Sequence, residues 1–321
     1  MKKLRLSNVL FVVVSLLAST QSLFGQASSL SAQRIVFLGD SITYAGGFIT
    51  SVEAALIASD PERKIELLNL GLPSETVSGL SEPGHANDQF PRPDLHERLQ
   101  RVLDESKPHL VVACYGMNDG IYYPQSEERF NKFKSGIERL HDHVVAHDAA
   151  IIHLTPAFFD ALPIQSRLLP AGLSEYRQPF EGYDDVLQDY STWLLSQREK
   201  GWVVFDVHAA MKNAVMQQRI SNPQFTFATD GVHPNAEGQA VIARLLANEW
   251  NLAMNEKGLV DRKYGESLLQ ILTQKQNVLK LAWLTKTKHL RPGIASGMTI
   301  PEAEAKAKEL DLQARDLVKQ K

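Results

Sequence analysis

Cysteine is nearly absent from this chain of 321 residues. Cys114 stands alone, so no intramolecular disulfide can form, and no multi-cysteine zinc or iron–sulfur site can be built. A chain of this length buries enough core to fold without such staples. A strong excess of charge is missing too. Lys and Arg number 34 against 37 Asp and Glu, and a weakly acidic surface has no electrostatic reason to seek nucleic acid. Repeats and low-complexity tracts are absent. Hydrophobic residues at 44% and charged residues at 22% argue against a disordered, collagen-like or coiled-coil chain.

Long apolar runs are also lacking. Residues 9–18 form a stretch of about ten, against the roughly 20 that a membrane span needs. Lys2, Lys3 and Arg5 precede it, and the small residues Gly25 and Ala27 follow. Positive, apolar, then small is the order of a secretory signal. Residues 1–27 are therefore read as a signal peptide, in preference to an uncleaved anchor. No cysteine near the cleavage region offers a thiol for a lipid. The expected product is exported, periplasmic or extracellular, with no stable membrane insertion. Cleavage removes three cations and no anion, leaving the mature chain more acidic.

What the chain does have is alternation. Short apolar runs at 34–39, 65–70, 110–115, 150–155 and 202–206 read as strands buried on both faces, the habit of a parallel sheet. Helical patterns at 50–59, 94–106, 126–147 and 183–200 lie between them. This alternation predicts a doubly wound α/β sheet with right-handed crossovers, and such sheets gather ligands beyond the C-terminal ends of their strands. Pro234 suits the first turn of a further helix running to about 254. From about 258 the tail reads as helical. Leu268, Leu272, Leu279, Ala282 and Trp283 share one face, Thr299 and Glu302 have capping-box spacing, and Glu302/Lys306 and Glu304/Lys308 are i,i+4 pairs. This tail either packs on the core or pairs two copies into a homodimer. Two connections, 71–93 and 156–182, exceed the length of ordinary loops and are expected over the functional face.

The residues after the strands carry chemistry. Ser41, in Gly39-Asp40-Ser41-Ile42, sits at a strand-to-helix turn. Its hydroxyl can be exposed there and its N–H can face a bound oxygen, although serine also caps helices. No G-x-S-x-G nucleophile elbow occurs. A serine hydroxyl needs a base, and the base needs an orienting acid. In Asp230-Gly231-Val232-His233, such an acid and base stand three positions apart. His208, two residues after Asp206, competes for the same role. His141, His143 and His147 on a helix, and His153 in a strand, read as surface or core residues. Asn118, after the third strand, is a ready donor to a developing oxyanion. Gly71, after the second, leaves a backbone N–H open to a ligand.

These four blocks, GDSI, NLG, GMND and DGVHP, resemble those of the SGNH (GDSL-type) hydrolase superfamily over residues 34–250. The resemblance implies a three-layer α/β/α flavodoxin-like fold with a five-stranded parallel sheet, over residues 28–257, followed by a helical extension at 258–321. It implies Ser41 as nucleophile, His233 as general base and Asp230 as its orienter. It also implies an oxyanion hole from the N–H groups of Ser41 and Gly71 and the Asn118 side chain, with no cofactor and no metal. The strings SETVSGLSEPGH, CYGMNDGIYYP and TKHLRPG resemble an exported subgroup from planctomycete-like bacteria.

The expected activity is a secreted serine esterase acting through an acyl-serine. A metallophosphoesterase would leave Ser41 idle and needs more ligands than Asp40, Asn118, Asp119 and His233. A catalytically inactive glycan-binding module of the same fold would not need all four blocks. Substrate reading turns on the long loops. Residues 71–93 are polar, and Tyr44, Tyr115, Tyr122 and Tyr123 flank the site turns, which suits an acylated carbohydrate. Phe158, Phe159, Leu162, Ile164, Leu168 and Leu169 instead suit the acyl groove of a lipase. A short-acyl, carbohydrate acetylesterase-like enzyme is the favoured expectation.

Overall fold

The computed structural model describes residues 33–261 and 263–320; the signal-peptide reading of residues 1–27 falls outside them. Five strands, β1 (Arg34–Gly39), β2 (Glu66–Asn69), β3 (Leu110–Cys114), β4 (Ala150–Leu154) and β5 (Val203–Phe205), form one sheet in the order β2-β1-β3-β4-β5. Every pairing is parallel. Val36 of β1 registers with Leu68 on one side and Val111 on the other, and all three are buried. That is why the strands read as unbroken apolar runs rather than alternating ones.

The helices are α1 (Ser41–Ala45), α2 (Gly47–Ser59), α3 (Leu95–Ser106), α4 (Glu127–Ala146), α5 (Tyr183–Ser196), α6 (Val207–Arg219), α7 (Ala236–Glu249), α8 (Gly265–Lys286) and α9 (Ile300–Lys319). From β1 the chain steps outward to β2, then reverses over β1 to β3. With right-handed crossovers this reversal puts α2 on one face and α3 on the other. On the first face α2 packs against α7 and α8; on the second α3 packs against α4. The reversal also opens a switch point between the C-terminal ends of β1 and β3, where doubly wound sheets bind ligands.

Several expected boundaries move for local reasons. Asp94 and Ser126 are not the first residues of their helices but cap them, accepting from the His96 and Arg129 N–H groups. The helix expected from Pro234 starts two residues later, because Asn235 takes the cap and accepts from Gly238 N–H at 3.0 Å. It ends before 254 because Asn251 turns left-handed at φ 54°. Helix α6 was not expected at all. It begins directly after β5, where Asp206 Oδ1 accepts from Ala209 N–H at 3.0 Å.

The tail packs on the core. Leu268, Leu272, Leu279, Ala282 and Trp283 of α8 are all buried. Lys275 reaches Glu53 of α2 at 2.8 Å and Asp311 of α9 at 2.6 Å, and Gln276 donates to the Leu67 carbonyl of β2 at 3.0 Å. The Thr299–Glu302 capping box forms. The expected Glu302/Lys306 pair does not, because Glu302 is committed to the cap and Lys306 pairs with Glu309 at 2.7 Å. Among the described residues no helix is long and apolar enough to cross a membrane.

Candidate active site

Ser41 opens α1 immediately beyond β1. Asp40 caps that helix, its Oδ1 accepting from Ile42 N–H at 2.9 Å. The turn is tight enough to require glycine on both sides. A Cβ at Gly39 would collide with Thr43 Oγ1 and the Cys114 carbonyl, and one at Gly71 with the backbone of Thr43 and Tyr44. The loop after β2 therefore lies directly on the serine turn. Burial pushes the Asp40 carboxyl up to about 7, with the Ile42 N–H pulling the other way.

The DGVHP loop brings its acid and base to this serine. His233 Nε2 lies 2.8 Å from Ser41 Oγ, and His233 Nδ1 lies 2.7 Å from Asp230 Oδ2. The other Asp230 oxygen accepts from the Val232 and His233 N–H groups at 2.9 and 2.8 Å. Partial burial disfavours the Asp230 charge, but these bonds outweigh it and hold the carboxyl below its usual range. With Nδ1–H directed at Asp230, Nε2 is left to accept the serine proton. The loop is pinned where Asp160 N–H donates to the Gly231 carbonyl at 2.9 Å. His208, the competing base, is fully buried and bonds Asp184 at 2.9 Å. Its neighbour Asp206 caps α6, so neither residue serves Ser41.

Asn118 lies beyond β3, across the switch point from Ser41. Its Nδ2 donates to the Glu75 carbonyl at 3.2 Å, and its Oδ1 accepts from Arg92 Nη1 at 2.9 Å and Tyr122 Oη at 3.3 Å. Asp119 is structural: its Oδ1 accepts from Val77 and Ser78 N–H at 2.9 and 2.8 Å, tying the long loop to the end of β3. Burial raises its carboxyl to about 6. The expectation that the Gly71 N–H is open needs correction. It donates to Asn69 Oδ1 at 3.0 Å, while Asn69 Nδ2 donates to the Thr43 carbonyl at 2.9 Å. Gly71 can serve an oxyanion only by sharing or releasing that bond.

Both long connections do reach the site. Glu82 from the first, Ile164, Tyr176 and Arg177 from the second, and Tyr122 and Asp230 line a cavity of about 250 Å³. Tyr115 does not, since its hydroxyl donates to buried Glu75 at 2.7 Å. Phe158 and Phe159 are buried in the core. His153 is a core residue stacked on Trp202, and burial lowers its pKa to about 3. Arg92 is the important residue that sequence reasoning passed over. A lone cation between Pro91 and Pro93, ten positions from Glu82, was the available signal.

A serine, histidine and aspartate in hydrogen-bond series at the C-terminal edge of a flavodoxin-like sheet have the geometry of a serine-hydrolase triad. Residues 37–241 match the model of the GDSL-like lipase/acylhydrolase family, and the chain belongs to that family. Solved structures share the fold. One is a gut microbial diltiazem-metabolizing enzyme, 19% identical with TM-score 0.54, matched over 69% of this chain but only 47% of its own. Another is a catalytic mutant of Axe2, an acetylxylan esterase from Geobacillus stearothermophilus, 20% identical with TM-score 0.51, matched over 68% of this chain and 94% of its own. Among the curated proteins none matches the chain.

Proposed function

We propose that the chain is an exported short-acyl esterase that removes acetyl groups from an acylated carbohydrate. The observation that carries the chemistry is the series of two short hydrogen bonds, 2.8 Å from Ser41 to His233 and 2.7 Å from His233 to Asp230. Ser41 attacks the ester carbonyl while His233 takes its proton. Asp230 holds the ring in the right tautomer and stabilises the imidazolium. The tetrahedral oxyanion rests on the Asn118 amide and the Ser41 N–H, with the Gly71 N–H joining as it leaves Asn69. His233 then protonates the departing alcohol, and water, activated by the same ring, frees the acyl-serine.

Three features favour a short acyl group on a polar alcohol. The cavity beside Asp230 is small, and Glu82, Arg177 and Tyr122 line it alongside Ile121, Ile164 and Val232. Phe158 and Phe159, which a long acyl chain would need on the surface, are buried. Catalytic mutants of Axe2 replace a serine, an aspartate and a histidine, the latter two three positions apart, the spacing of Asp230 and His233 here. Export rests on the order of charges and apolar residues in 1–27.

The test sets p-nitrophenyl esters from C2 to C12 beside acetylated xylo-oligosaccharides. Highest kcat/KM at C2 with acetate released from the sugars is expected. A kcat/KM that climbs to C12 with no acetate released would overturn the carbohydrate reading in favour of a lipase. Intact mass of protein from its host should show loss of about the first 25–27 residues.

A further inference from the structure

We propose that Arg92 is a positioning residue for catalysis, locking the Asn118 amide in the one orientation that offers an N–H to the oxyanion. This deepens the proposed mechanism and rests on Asn118 being an oxyanion donor.

An amide side chain is nearly symmetric in shape and opposite in polarity at its two ends. Turned by half a rotation, Asn118 would present Oδ1 to the tetrahedral intermediate and repel the charge it must stabilise. In the protein that turn is blocked. Arg92 Nη1 donates to Oδ1 at 2.9 Å, Tyr122 Oη stands 3.3 Å from the same oxygen, and Nδ2 is held by the Glu75 carbonyl at 3.2 Å. A flipped amide would set its NH2 against a guanidinium, donor against donor, and its oxygen against a carbonyl. Asn118 is only 4% exposed, so a flipped amide would recover little of this loss from solvent. Donation into Oδ1 also polarises the amide and strengthens the Nδ2–H as a donor.

Arg92 is itself fixed. Its Nε and Nη2 form a fork on Glu82 Oε2 and Oε1, both at 2.6 Å. Its backbone N–H donates to Ser81 Oγ at 2.9 Å, and its guanidinium lies 5.3 Å from the Tyr122 ring centre. Pro91 and Pro93 restrict the backbone on either side. Two of the three nitrogens hold Arg92 to the loop, and the third reaches Asn118. The long loop after β2 thereby sets the orientation of a side chain on the loop after β3.

The test is a double-mutant cycle on kcat with p-nitrophenyl acetate, using the full chain. Removing Arg92 alone takes both guanidinium bonds from the half-buried Glu82 carboxylate, so the Glu82→Gln/Arg92→Gln pair is the primary variant. Thermal melting checks that it folds, and Arg92→Lys is the conservative companion. The pair should lower kcat by about 10–100-fold, less than loss of the donor itself, with KM within about twofold. Arg92→Lys should lie between this variant and wild type. In an Asn118→Ala background the same pair should change kcat by less than about twofold, because nothing remains to orient. Equal losses in both backgrounds, or a folded pair with unchanged kcat, would overturn the proposal alone. Full kcat in Asn118→Ala itself would overturn the oxyanion reading and the proposal with it.

Discussion

The two arms of the candidate site are built to opposite specifications. The arm that carries the base is a surface loop. The side chains of His233 and Asp230 are 52% and 49% exposed, and Asp230 is held by backbone N–H groups of its own turn. The arm that carries the oxyanion donor is sealed. Asn118, Asp119 and Glu75 are buried, and Arg92 is clamped by Glu82. The contrast fits the proposed division of labour. A base must pass protons to an alcohol and receive them from water, so it stays accessible. A donor to developing charge is strongest when fixed and dry. Charge is treated differently as well. Asp230 is held below its usual range by bonds made within its own loop, whereas Asp40, buried under the serine turn, is pushed up to about 7.

The sharpest way to break this comparison is to remove members of the exposed arm. Ser41→Ala and His233→Ala should each cost on the order of 10⁶ in kcat, because the two act as a unit. His208→Ala should keep the chemistry and lose about 1–3 kcal/mol of stability, since Asp184 would lose its buried histidine partner and keep Lys212 and the Phe159 N–H. Steady-state kinetics with thermal melts separates the three, and a reversal of the histidine results would move the base to α6.

The sealed arm should respond less and differently. Asn118→Ala is expected to lower kcat by about 10²–10³ with a smaller change in KM. An unaltered kcat would reduce Asn118 to a turn residue.

Two smaller effects concern stability against pH. Glu82 is held down to about 2: burial works against its charge, but hydrogen bonds from His85 and Arg92 outweigh it. Its contribution is therefore fully present above its unfolded value near 4.5 and is lost as pH falls through about 2. Glu82→Gln should flatten that acid limb. Asp40 acts in the other direction. Because burial raises it from 3.8 to about 7, the folded state holds a proton that the unfolded state has released, and stability falls as pH rises between those values. The slope is at most about 1.4 kcal/mol per pH unit. Asp40→Asn keeps an oxygen for the Ile42 cap and should remove that slope, as denaturant unfolding from pH 4 to 7 would show. An unchanged slope would mean that Asp40 is ionised in the fold.

The sheet was legible in the sequence because parallel strands covered on both faces must be apolar throughout, and β1 matches the run at 34–39 to the residue. Ser41, Asn118, Asp230 and His233 were legible because each sits one turn beyond a strand or in a short loop where few other residues would serve. Helix α6 was missed because His208 and Lys212 interrupt its apolar face, and their bonds to Asp184 from α5 are not visible in the local sequence. Tyr115 was misplaced at the substrate rim, since local sequence does not show that a buried Glu75 waits for its hydroxyl.

What the sequence by itself determined was the local chemistry: which residues follow which strand, which turn can place a histidine beside an aspartate, and where glycine is compulsory. What only the tertiary structure decided was which groups are already spoken for. The Asn69 amide is engaged by the Thr43 carbonyl, the Asn118 oxygen by Arg92, and the α8 tail by Glu53. The physical reason is that a buried polar group must find a partner wherever one lies, and across the loops that bridge β2 and β3, or the 222 positions between Glu53 and Lys275, that partner is fixed by the packing of the sheet and helices rather than by neighbouring sequence.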